Sequence, residues 1–242
     1  MSDSPDHDAQ RRLAAVLGPA GFDVCGVIPI ARYDARVATP WRSQRLLPAA
    51  RRAVVIGSGG RALWSAFARS PEFSRGSDPL DAYCERIAAD AAAALGDGDP
   101  PALALLAHQQ REGTFADLVA LGSEAGLGAR SRLGLLVHPE YGPWLSLRAV
   151  VLTARALPVS APLPGFDPCG GCPAPCARAC HGAAVLPAGF DVGRCAGTRA
   201  REPGCQARCD ARHACVLGQA HAYVPTAEAH HMRPGAAASG SG

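Results

Sequence analysis

Apolar and polar positions alternate in two kinds of block along the first 155 residues, and together these blocks predict an alternation of helices and strands. Apolar residues at helical spacing predict helices over 8–17, 62–68, 81–95 and 115–125, the first of which ends at a Gly-Pro pair. Short apolar runs bounded by turn residues predict strands over 22–30, 53–57, 102–107, 133–137 and 145–153.

The last two predicted strands, LGLLV and LSLRAVVLT, are separated only by the turn-rich HPEYGPW at 138–144. This arrangement predicts a hairpin-like pair, so the sheet is not expected to be purely parallel. The fold class predicted for this part is α/β (α+β), a mixed sheet with flanking helices.

The distribution of cysteines divides the chain. Two cysteines stand alone before residue 168 and are predicted to be small buried hydrophobes, whereas the other eight crowd into the next 47 positions. A proline-rich stretch, LPVSAPLPGFDP at 157–168, precedes the crowded part and is typical of a linker. The sequence therefore predicts a domain at 1–160, a small cysteine-rich domain at 161–235 and a disordered tail at 236–242.

Composition and charge narrow the classes of function. A net charge of +3 is too small to favour nucleic acid or an anionic membrane as partner. All 24 basic residues are arginine, and the absence of lysine excludes a Schiff-base lysine and the lysine of a phosphate-binding loop. No apolar run reaches the roughly 18 residues of a membrane span, and the polar start lacks signal-peptide character, so a cytoplasmic protein is expected.

GSGG at 57–60 follows a strand and precedes a helix, as a dinucleotide-binding turn does. It lacks the full G-x-G-x-x-G spacing, because residue 62 is alanine, and no acidic residue follows at the end of the next strand. A plain strand-to-helix turn that needs glycine conformations is the favoured interpretation.

The clustered cysteines indicate a metal centre, because a reducing cytosol disfavours disulfides. Thiolates suit both zinc and iron-sulfur clusters, so zinc remains an alternative, as do disulfides. The first run, CGGCPAPCARAC at 169–180, has C-x2-C-x3-C-x3-C spacing, one residue longer than the bacterial ferredoxin run. Eight cysteines are the number that two 4Fe-4S clusters require.

In the bacterial ferredoxin pattern the fourth cysteine of a run ligates the other cluster. By that logic the ligands are interleaved, and each set combines the two cysteine groups. The sequence predicts that one cluster is held by Cys169, Cys172, Cys176 and Cys215, and the other by Cys180, Cys195, Cys205 and Cys209.

Three stretches carry a resemblance to known proteins. EAGLGARSRLGLLVHPEYGPW at 124–144, followed by the linker and CGGCPAPCARAC, resembles the corrinoid-dependent iron-sulfur family of epoxyqueuosine reductases and reductive dehalogenases. HPEYGPWLSLRAVVL at 138–152 is similar to a segment of cobalamin-processing proteins of the CblC type, and AVVIGSGGRALWSAF at 53–67 is similar to their early strand-helix segment.

The resemblance implies a nitroreductase-like domain that binds cobalamin and a small ferredoxin-like domain with two 4Fe-4S clusters. It implies that corrinoid contacts come from His138, Tyr141, Gly142, Trp144 and Arg148. For the aromatic pair Tyr141 and Trp144 the alternative is a loop packed over the sheet, and for His138 a hydrogen-bonded structural role. The family carries its catalytic acid where this chain reads HQQREG at 108–113, so the resemblance supplies no proton donor.

Two functions of different classes follow. The first is an iron-sulfur oxidoreductase that passes electrons to a bound cobalamin, with an electron-donor protein or a small reductant as partner. The second is a ferredoxin-like electron carrier without corrinoid. A zinc-stabilised interaction protein is the third possibility, and neither nucleic acid nor a membrane is expected as partner.

Overall fold

The computed structural model describes residues 6–96, 101–109 and 116–232. It divides into two compact units. Unit 1 comprises Met1–Leu127 and Ser146–Pro162, and unit 2 comprises Gly128–Leu145 and Leu163–Gly242. This division differs from the predicted boundary near 160, because the segment 128–145 packs with the cysteine-rich residues. The predicted tail at 236–242 lies outside the described residues.

Unit 1 is an alternation of helices and strands. In chain order its elements are α1 (His7–Leu17), β1 (Val24–Pro29), α2 (Ile30–Asp34), β2 (Arg52–Gly59), α3 (Ala62–Phe67), α4 (Pro79–Ala94), β3 (Leu103–Leu106), α5 (Leu118–Glu124) and β6 (Leu145–Thr153), numbered with the strands of unit 2. Short 3₁₀ turns occur at Thr39–Trp41, Ser43–Arg45, Pro71–Ser74 and Ala107–Gln109.

The four strands of unit 1 form one sheet in the order β1-β2-β6-β3. β1 pairs antiparallel with β2, placing Cys25 opposite Ile56, and β3 pairs antiparallel with β6. The backbone N–H of Arg51, just before β2, donates to the carbonyl of Thr153 at the end of β6, so this central pair also runs antiparallel. The predicted mixed α/β class is confirmed, with antiparallel pairing throughout these contacts.

Capping residues and a proline mark where three helices of unit 1 begin. Asp6 caps α1 by accepting from the Ala9 N–H at 2.9 Å, and Asp117 caps α5 by accepting from Ala120 at 2.9 Å. Pro79 occupies the first turn of α4, where no backbone N–H is needed. The apolar faces of these helices and of the sheet form one core, which includes Leu13, Leu17, Phe67, Ile87, Val54, Ile56 and Val151.

Unit 2 contains shorter elements. They are β4 (Ala129–Arg130), β5 (Leu136–Val137), α6 (Pro175–Ala179), β7 (Val185–Leu186), β8 (Gly189–Phe190), α7 (Val192–Arg201), α8 (Pro203–Ala207), α9 (Asp210–His213) and α10 (Pro225–Met232). A small apolar cluster of Leu133, Cys176, Val185 and Ala211 lies at its centre, with Cys180, Cys209 and Cys215 packed against it. Cysteine sulfur thus takes part in the core of this unit.

The predicted hairpin of LGLLV with LSLRAVVLT is wrong. Only Leu136–Val137 of the first segment is a strand, and it pairs with β4 rather than with β6. The reason is a tight turn at 131–135, in which Gly134 has φ +71° and the Ser131 N–H donates to the Leu135 carbonyl. This turn folds residues 136–137 back onto 129–130, while β6 pairs with β3 in the other unit.

Two smaller expectations have different outcomes. Cys84 is buried as predicted, but Cys25 is exposed. Residues 57–59 of GSGG continue β2, and the Gly59 N–H donates to the Asp23 carboxylate at 2.8 Å. The Gly59 N–H therefore has a hydrogen-bond partner within the protein, and Gly60, directly after the strand, has a positive φ of +56° that glycine adopts readily.

Candidate functional site

The eight clustered cysteines lie at the ends and in the first turns of short helices in unit 2. Cys169 and Cys172 precede α6, Cys176 lies in α6, and Cys180 follows it directly. Cys195 lies in α7, Cys205 in α8, and Cys209 and Cys215 flank α9. A proline in the first turn marks the start of α6 and of α8. Asp191 marks the start of α7, where its carboxylate accepts from the Arg194 N–H at 2.9 Å.

Four of these thiols act on one another electrostatically. Burial raises the pKa of Cys176 above its ordinary value, and the Cys215, Cys169 and Cys172 thiols raise it further. Burial also raises the pKa of Cys215, with Cys172 and Cys169 again contributing. Cys169, Cys172, Cys176 and Cys215 are therefore grouped as a first centre, and their role as ligands of one cluster stays a prediction.

The remaining four thiols form a second centre, composed of Cys180, Cys195, Cys205 and Cys209. Burial raises the pKa of Cys195, Cys205 and Cys209, and in all three the Cys180 thiol adds to the effect. The same four cysteines line one cavity of about 40 Å³. Its other walls are formed by Ala179, His181, Gly182, Thr198, Arg199, Arg208, Asp210, Ala211 and Met232.

Backbone amides point at one sulfur of each centre. The Arg132 N–H donates to Cys169 Sγ at 3.4 Å in the first, and the Ala184 N–H donates to Cys180 Sγ at 3.3 Å in the second. Such N–H···S contacts stabilise negative charge on sulfur, and hydrogen bonds of this kind tune iron-sulfur clusters.

Neither group of four cysteines has the geometry of a site for a single metal ion. Among residues 6–96, 101–109 and 116–232, no set of three or more His, Cys, Asp or Glu side chains converges as the ligands of one metal ion. The four thiols of the second centre nevertheless line one common cavity.

Four of the five residues predicted to contact a corrinoid lie together in a tight hairpin of unit 2. His138 and Gly142 exchange two backbone hydrogen bonds of 2.9 Å. The Nδ1 atom of His138 accepts from the backbone N–H groups of Glu140 and Tyr141, at 3.1 and 3.2 Å. The Tyr141 ring lies between the rings of His138 and His221, with centroids 4.9 Å from each.

Trp144 is packed inside unit 2. It is 1% exposed, and the Arg212 guanidinium lies 4.5 Å from the ring centroids of both Trp144 and Tyr223. The same guanidinium donates two hydrogen bonds, of 3.0 and 2.6 Å, to the Pro143 carbonyl. These are the contacts of a packing residue, and they leave no face of the indole ring accessible.

The packing around Trp144 continues to the second centre. His213 Nε2 lies 2.8 Å from Glu228 Oε2, and Glu228 Oε1 accepts from the Cys209 N–H at 3.0 Å. Glu228 is 4% exposed, and both of its carboxylate oxygens have hydrogen-bond partners, as a buried carboxylate requires. Sequence analysis missed Arg212, Tyr223 and Glu228, because nothing in their spacing relates them to residues 138–144.

The fifth predicted residue, Arg148, lies on β6 in unit 1. There its positive charge opposes the effect of burial on Cys84, whose pKa is nevertheless raised to about 11 by burial. The structure thus brings His138, Tyr141, Gly142 and Trp144 together and assigns Arg148 to the other unit. Their roles toward a corrinoid stay predictions.

The segment HQQREG is described only at its first two residues, since 110–115 lie outside the described ranges. His108 Nε2 lies 3.0 Å from Glu85 Oε1, and Gln109 donates to the same oxygen at 2.7 Å. His108 Nδ1 also lies 3.4 Å from an Asp81 oxygen. These contacts tie the end of β3 to α4. Over the described ranges, no helix is long and apolar enough to cross a bilayer.

Comparison with known proteins gives structural relatives only. No protein-family profile matches the chain, and no curated protein sequence matches it. Several solved structures do match. An epoxyqueuosine reductase, crystallised with selenomethionine, aligns with a TM-score of 0.62 at 16% identity, over 94% of this chain and 69% of that one. The epoxyqueuosine reductase of Bacillus subtilis gives a TM-score of 0.58 at 16% identity, over 94% and 68% of the two chains.

The C. elegans B12-trafficking protein CblC aligns with a TM-score of 0.59 at 14% identity, over 96% of this chain and 93% of that one. These two kinds of protein are the ones that the resemblance of residues 53–67, 124–152 and 169–180 indicated. At these identities the likeness is one of fold. The chain therefore has the fold shared by epoxyqueuosine reductases and the B12-trafficking protein CblC.

Proposed function

We propose that this chain is an iron-sulfur redox protein that holds two 4Fe-4S clusters and passes electrons from a donor protein or small reductant to a bound cobalamin. The observation that carries the proposal is the division of eight cysteines into two sets of four. One set lines a single cavity, and the members of each set act on one another electrostatically.

The residues of both centres fit a cluster. Each centre offers four thiols, which is the ligand number of a 4Fe-4S cluster, and one backbone N–H that donates to a ligand sulfur. Burial raises the pKa of Cys176 and Cys209 and so favours the neutral thiols in the absence of metal; binding iron would stabilise the thiolates and release the protons to solvent. Such clusters supply one-electron transfer when bound, and the chain supplies their ligands, their shielding from water and their electrostatic surroundings.

Two features of the small elements make this ligand arrangement possible. Cys176 in the first turn of α6 and Cys180 directly after that helix belong to different centres, and so do Cys209 and Cys215, which lie before and after α9. Because α6 packs against α9, a pair of short helices supplies ligands to both centres. The interleaved ligand sets predicted from the sequence fit this packing.

The cobalamin part of the proposal is supported by the fold that this chain shares with a B12-trafficking protein and with epoxyqueuosine reductases. The hairpin at 138–144 does not fit a corrin surface as it stands. Trp144 is enclosed, and a Cβ at Gly142 would lie 2.3 Å from the Leu217 carbonyl oxygen. The proposal therefore assigns no corrin contact to Trp144 or Gly142.

That packing favours a second candidate function, a two-cluster electron carrier without corrinoid. In this case residues 138–144 serve the stability of unit 2, and the likeness of fold reflects the scaffold alone. The two candidates share the clusters and differ only in the corrinoid.

Anaerobic purification followed by metal analysis and titration tests both candidates. We expect about eight iron and eight sulfide per chain, as two four-iron clusters require, and a broad visible absorption that bleaches on reduction. Stoichiometric zinc without sulfide would end the iron-sulfur proposal and leave the zinc alternative. With clusters present, titration with cob(II)alamin over the micromolar range separates the candidates. A saturable change in the corrin spectrum supports the oxidoreductase, and no change supports the carrier.

A further inference from the structure

The positive charge of the chain is concentrated in one segment of unit 1. Residues 32–52, which run from α2 to the start of β2, contain six of the 24 basic residues and one of the 21 acidic residues, a formal charge of +5. Because the formal charge of the whole chain is +3, the remaining residues carry a net charge of −2. The small total charge therefore conceals a strongly basic segment.

The one acidic residue of this segment fixes the shape of its loop. Asp34 is 5% exposed, and its carboxylate oxygens accept from the backbone N–H groups of Ser43 and Gln44, at 2.8 and 3.1 Å. Two 3₁₀ turns, Thr39–Trp41 and Ser43–Arg45, give the loop further order. A loop that is ordered before binding loses less conformational entropy when a partner docks.

The loop exposes arginine and tryptophan side chains. Arg32, Arg42 and Arg45 are exposed, and Trp41 is 42% exposed. Nη1 of Arg45 donates to the Pro40 carbonyl at 3.3 Å, which is an uncharged partner. The exposed part of the loop thus combines positive charge with one large aromatic ring.

Acidic residues of the neighbouring helix α5 offset only part of this charge. Glu124, at the end of α5, forms an ion pair with Arg36. Asp117, which caps α5, accepts from the Ala120 N–H at 2.9 Å. With both carboxylates counted, the segment and α5 together retain a formal charge of +3. An approaching partner therefore meets a positive surface.

The composition of this surface favours a protein partner over other anions. Tryptophan and arginine are among the side chains that most often dominate the binding energy of protein–protein interfaces. A single nucleic-acid strand stacks successive bases on several aromatic rings, and a bilayer surface takes up a broad apolar face. Trp41 is the only exposed large apolar side chain of 32–52, all of which the structure describes, so the segment lacks both features.

We propose that residues 32–52 form a docking surface for an acidic segment of another protein. Carboxylates of the partner pair with Arg32, Arg42 and Arg45, and an apolar side chain of the partner covers the Trp41 indole. This interaction goes beyond the proposed function and does not depend on it, because no residue of 32–52 belongs to a thiol centre.

Fluorescence anisotropy tests the inference with a labelled peptide in which glutamates flank a central phenylalanine. We expect saturable binding to the wild-type chain at low ionic strength, which weakens as salt is added because opposite charges attract each other less in salt. The same peptide with glutamine in place of glutamate should not bind. Labelled oligouridine and phosphatidylserine vesicles, at the same salt concentration, should bind more weakly than the glutamate peptide.

Substitutions locate the site. The pair Arg42→Glu with Arg45→Glu should weaken peptide binding roughly thirtyfold, because two attractions become repulsions. Trp41→Ala should weaken binding roughly fivefold to tenfold and leave its salt dependence unchanged, because it removes an uncharged contact. The pair Arg69→Glu with Arg75→Glu is the matched control, since it makes the same change in net charge at exposed arginines outside the segment. It should change the affinity by no more than about threefold.

The inference would be overturned by any of four results. These are no binding of the glutamate peptide at low salt, equal losses for the two arginine pairs, wild-type affinity in Trp41→Ala, and tighter binding of oligouridine or vesicles than of the peptide. If the glutamate pair impairs folding, judged by its melting temperature, Arg42→Gln with Arg45→Gln replaces it and should weaken binding roughly fivefold. Iron and sulfide are measured in the same preparations, so a failure of the proposed function is detected separately.

Discussion

Gly142 and Gly218 lie against each other so closely that neither position has room for a side chain. A Cβ at Gly142 would lie 2.3 Å from the Leu217 carbonyl oxygen, and a Cβ at Gly218 would lie 2.2 Å from the Tyr141 carbonyl oxygen. Both glycines also have positive φ, +57° and +65°. The hairpin at 138–144 and the loop after Cys215 are thus joined through backbone contact, which side chains would separate.

We expect Gly142→Ala and Gly218→Ala each to destabilise the protein by about 2–4 kcal/mol, adding overpacking against backbone to the cost of a positive φ. Denaturant unfolding checks this. Gly165→Ala is the matched control, since Gly165 has φ +72° but nothing within 4 Å of an added Cβ, and it should cost only about 1–2 kcal/mol. Equal losses at all three positions would show that the close approach has no energetic weight.

Trp144→Ala should destabilise unit 2 by about 3–5 kcal/mol, because the ring is enclosed and removing it leaves a cavity beside the Arg212 guanidinium. We expect cluster loss at a lower temperature, measured by visible absorption during heating. Trp41→Ala is the control, since Trp41 is 42% exposed, and its effect should stay within about 1 kcal/mol. If Trp144→Ala left stability unchanged but weakened cobalamin binding, the prediction that Trp144 contacts a corrinoid would be favoured instead.

The interleaved ligand sets predict which cysteine variants share a phenotype. Cys215→Ser should damage the same cluster as Cys169→Ser, although 46 residues separate the two positions. Cys180→Ser should damage the other cluster, although Cys180 belongs to the same sequence run as Cys169. Electron paramagnetic resonance of the reduced variants assigns each loss. Shared damage from Cys169→Ser and Cys180→Ser would instead indicate two sequential, independent sites.

Because Glu72 pairs with Arg86, we expect the difference in stability between the wild type and Glu72→Gln to depend on pH. The hydrogen bond from Arg86 lowers the pKa of Glu72 to about 2. A lowered carboxyl pKa contributes stability above the pKa of the unfolded chain, about 4.3, and this stability is lost as the pH falls toward 2. Wild type should therefore melt above Glu72→Gln at pH 7, and the difference should shrink below about pH 4.5 and vanish near pH 2.

Thermal unfolding from about pH 2 to 7 measures this difference. Asp90→Asn is the control, because Asp90 is 53% exposed and lies 3.5 Å from the same arginine. It should show a smaller gap at neutral pH, since water screens an exposed pair. A gap for Glu72→Gln that stays constant down to the acid end of this range would contradict the assignment to this ion pair.

Elements with strong local signals could be predicted from the sequence. Helix α1 lies between an aspartate cap and a Gly-Pro stop, and the apolar runs that became β1, β2, β3 and β6 were all predicted as strands within a few residues. The pairing of the short strand at 136–137 could not be predicted, because a turn precedes it and another follows it. The turn at Gly134 would pair it with residues 129–130, and the turn at 138–144 would pair it with residues 145–153. Only the backbone geometry of the assembled chain decides between them.

The candidate site shows the same division. Cysteine spacing alone identified the eight thiols and predicted their two sets, since the spacing of a ligand run reflects the geometry of the group it holds. The surroundings of those thiols could not be predicted. Arg199 reaches the second cavity from α7, and Asp167 reaches Cys169 from a turn, without any pattern that relates them to a centre.

The sequence by itself determined the mixed α/β class, the position of the cysteine-rich segment and which eight cysteines are the candidate cluster ligands. These features depend on local periodicity and on spacing within short runs. The tertiary structure decided that residues 128–145 belong to the cysteine-rich unit and that Trp144 is enclosed by Arg212 and Tyr223. It also decided which charges face each centre. Contacts between residues far apart in the chain, such as Trp144 and Arg212, arise from packing, and no local pattern in either segment encodes them.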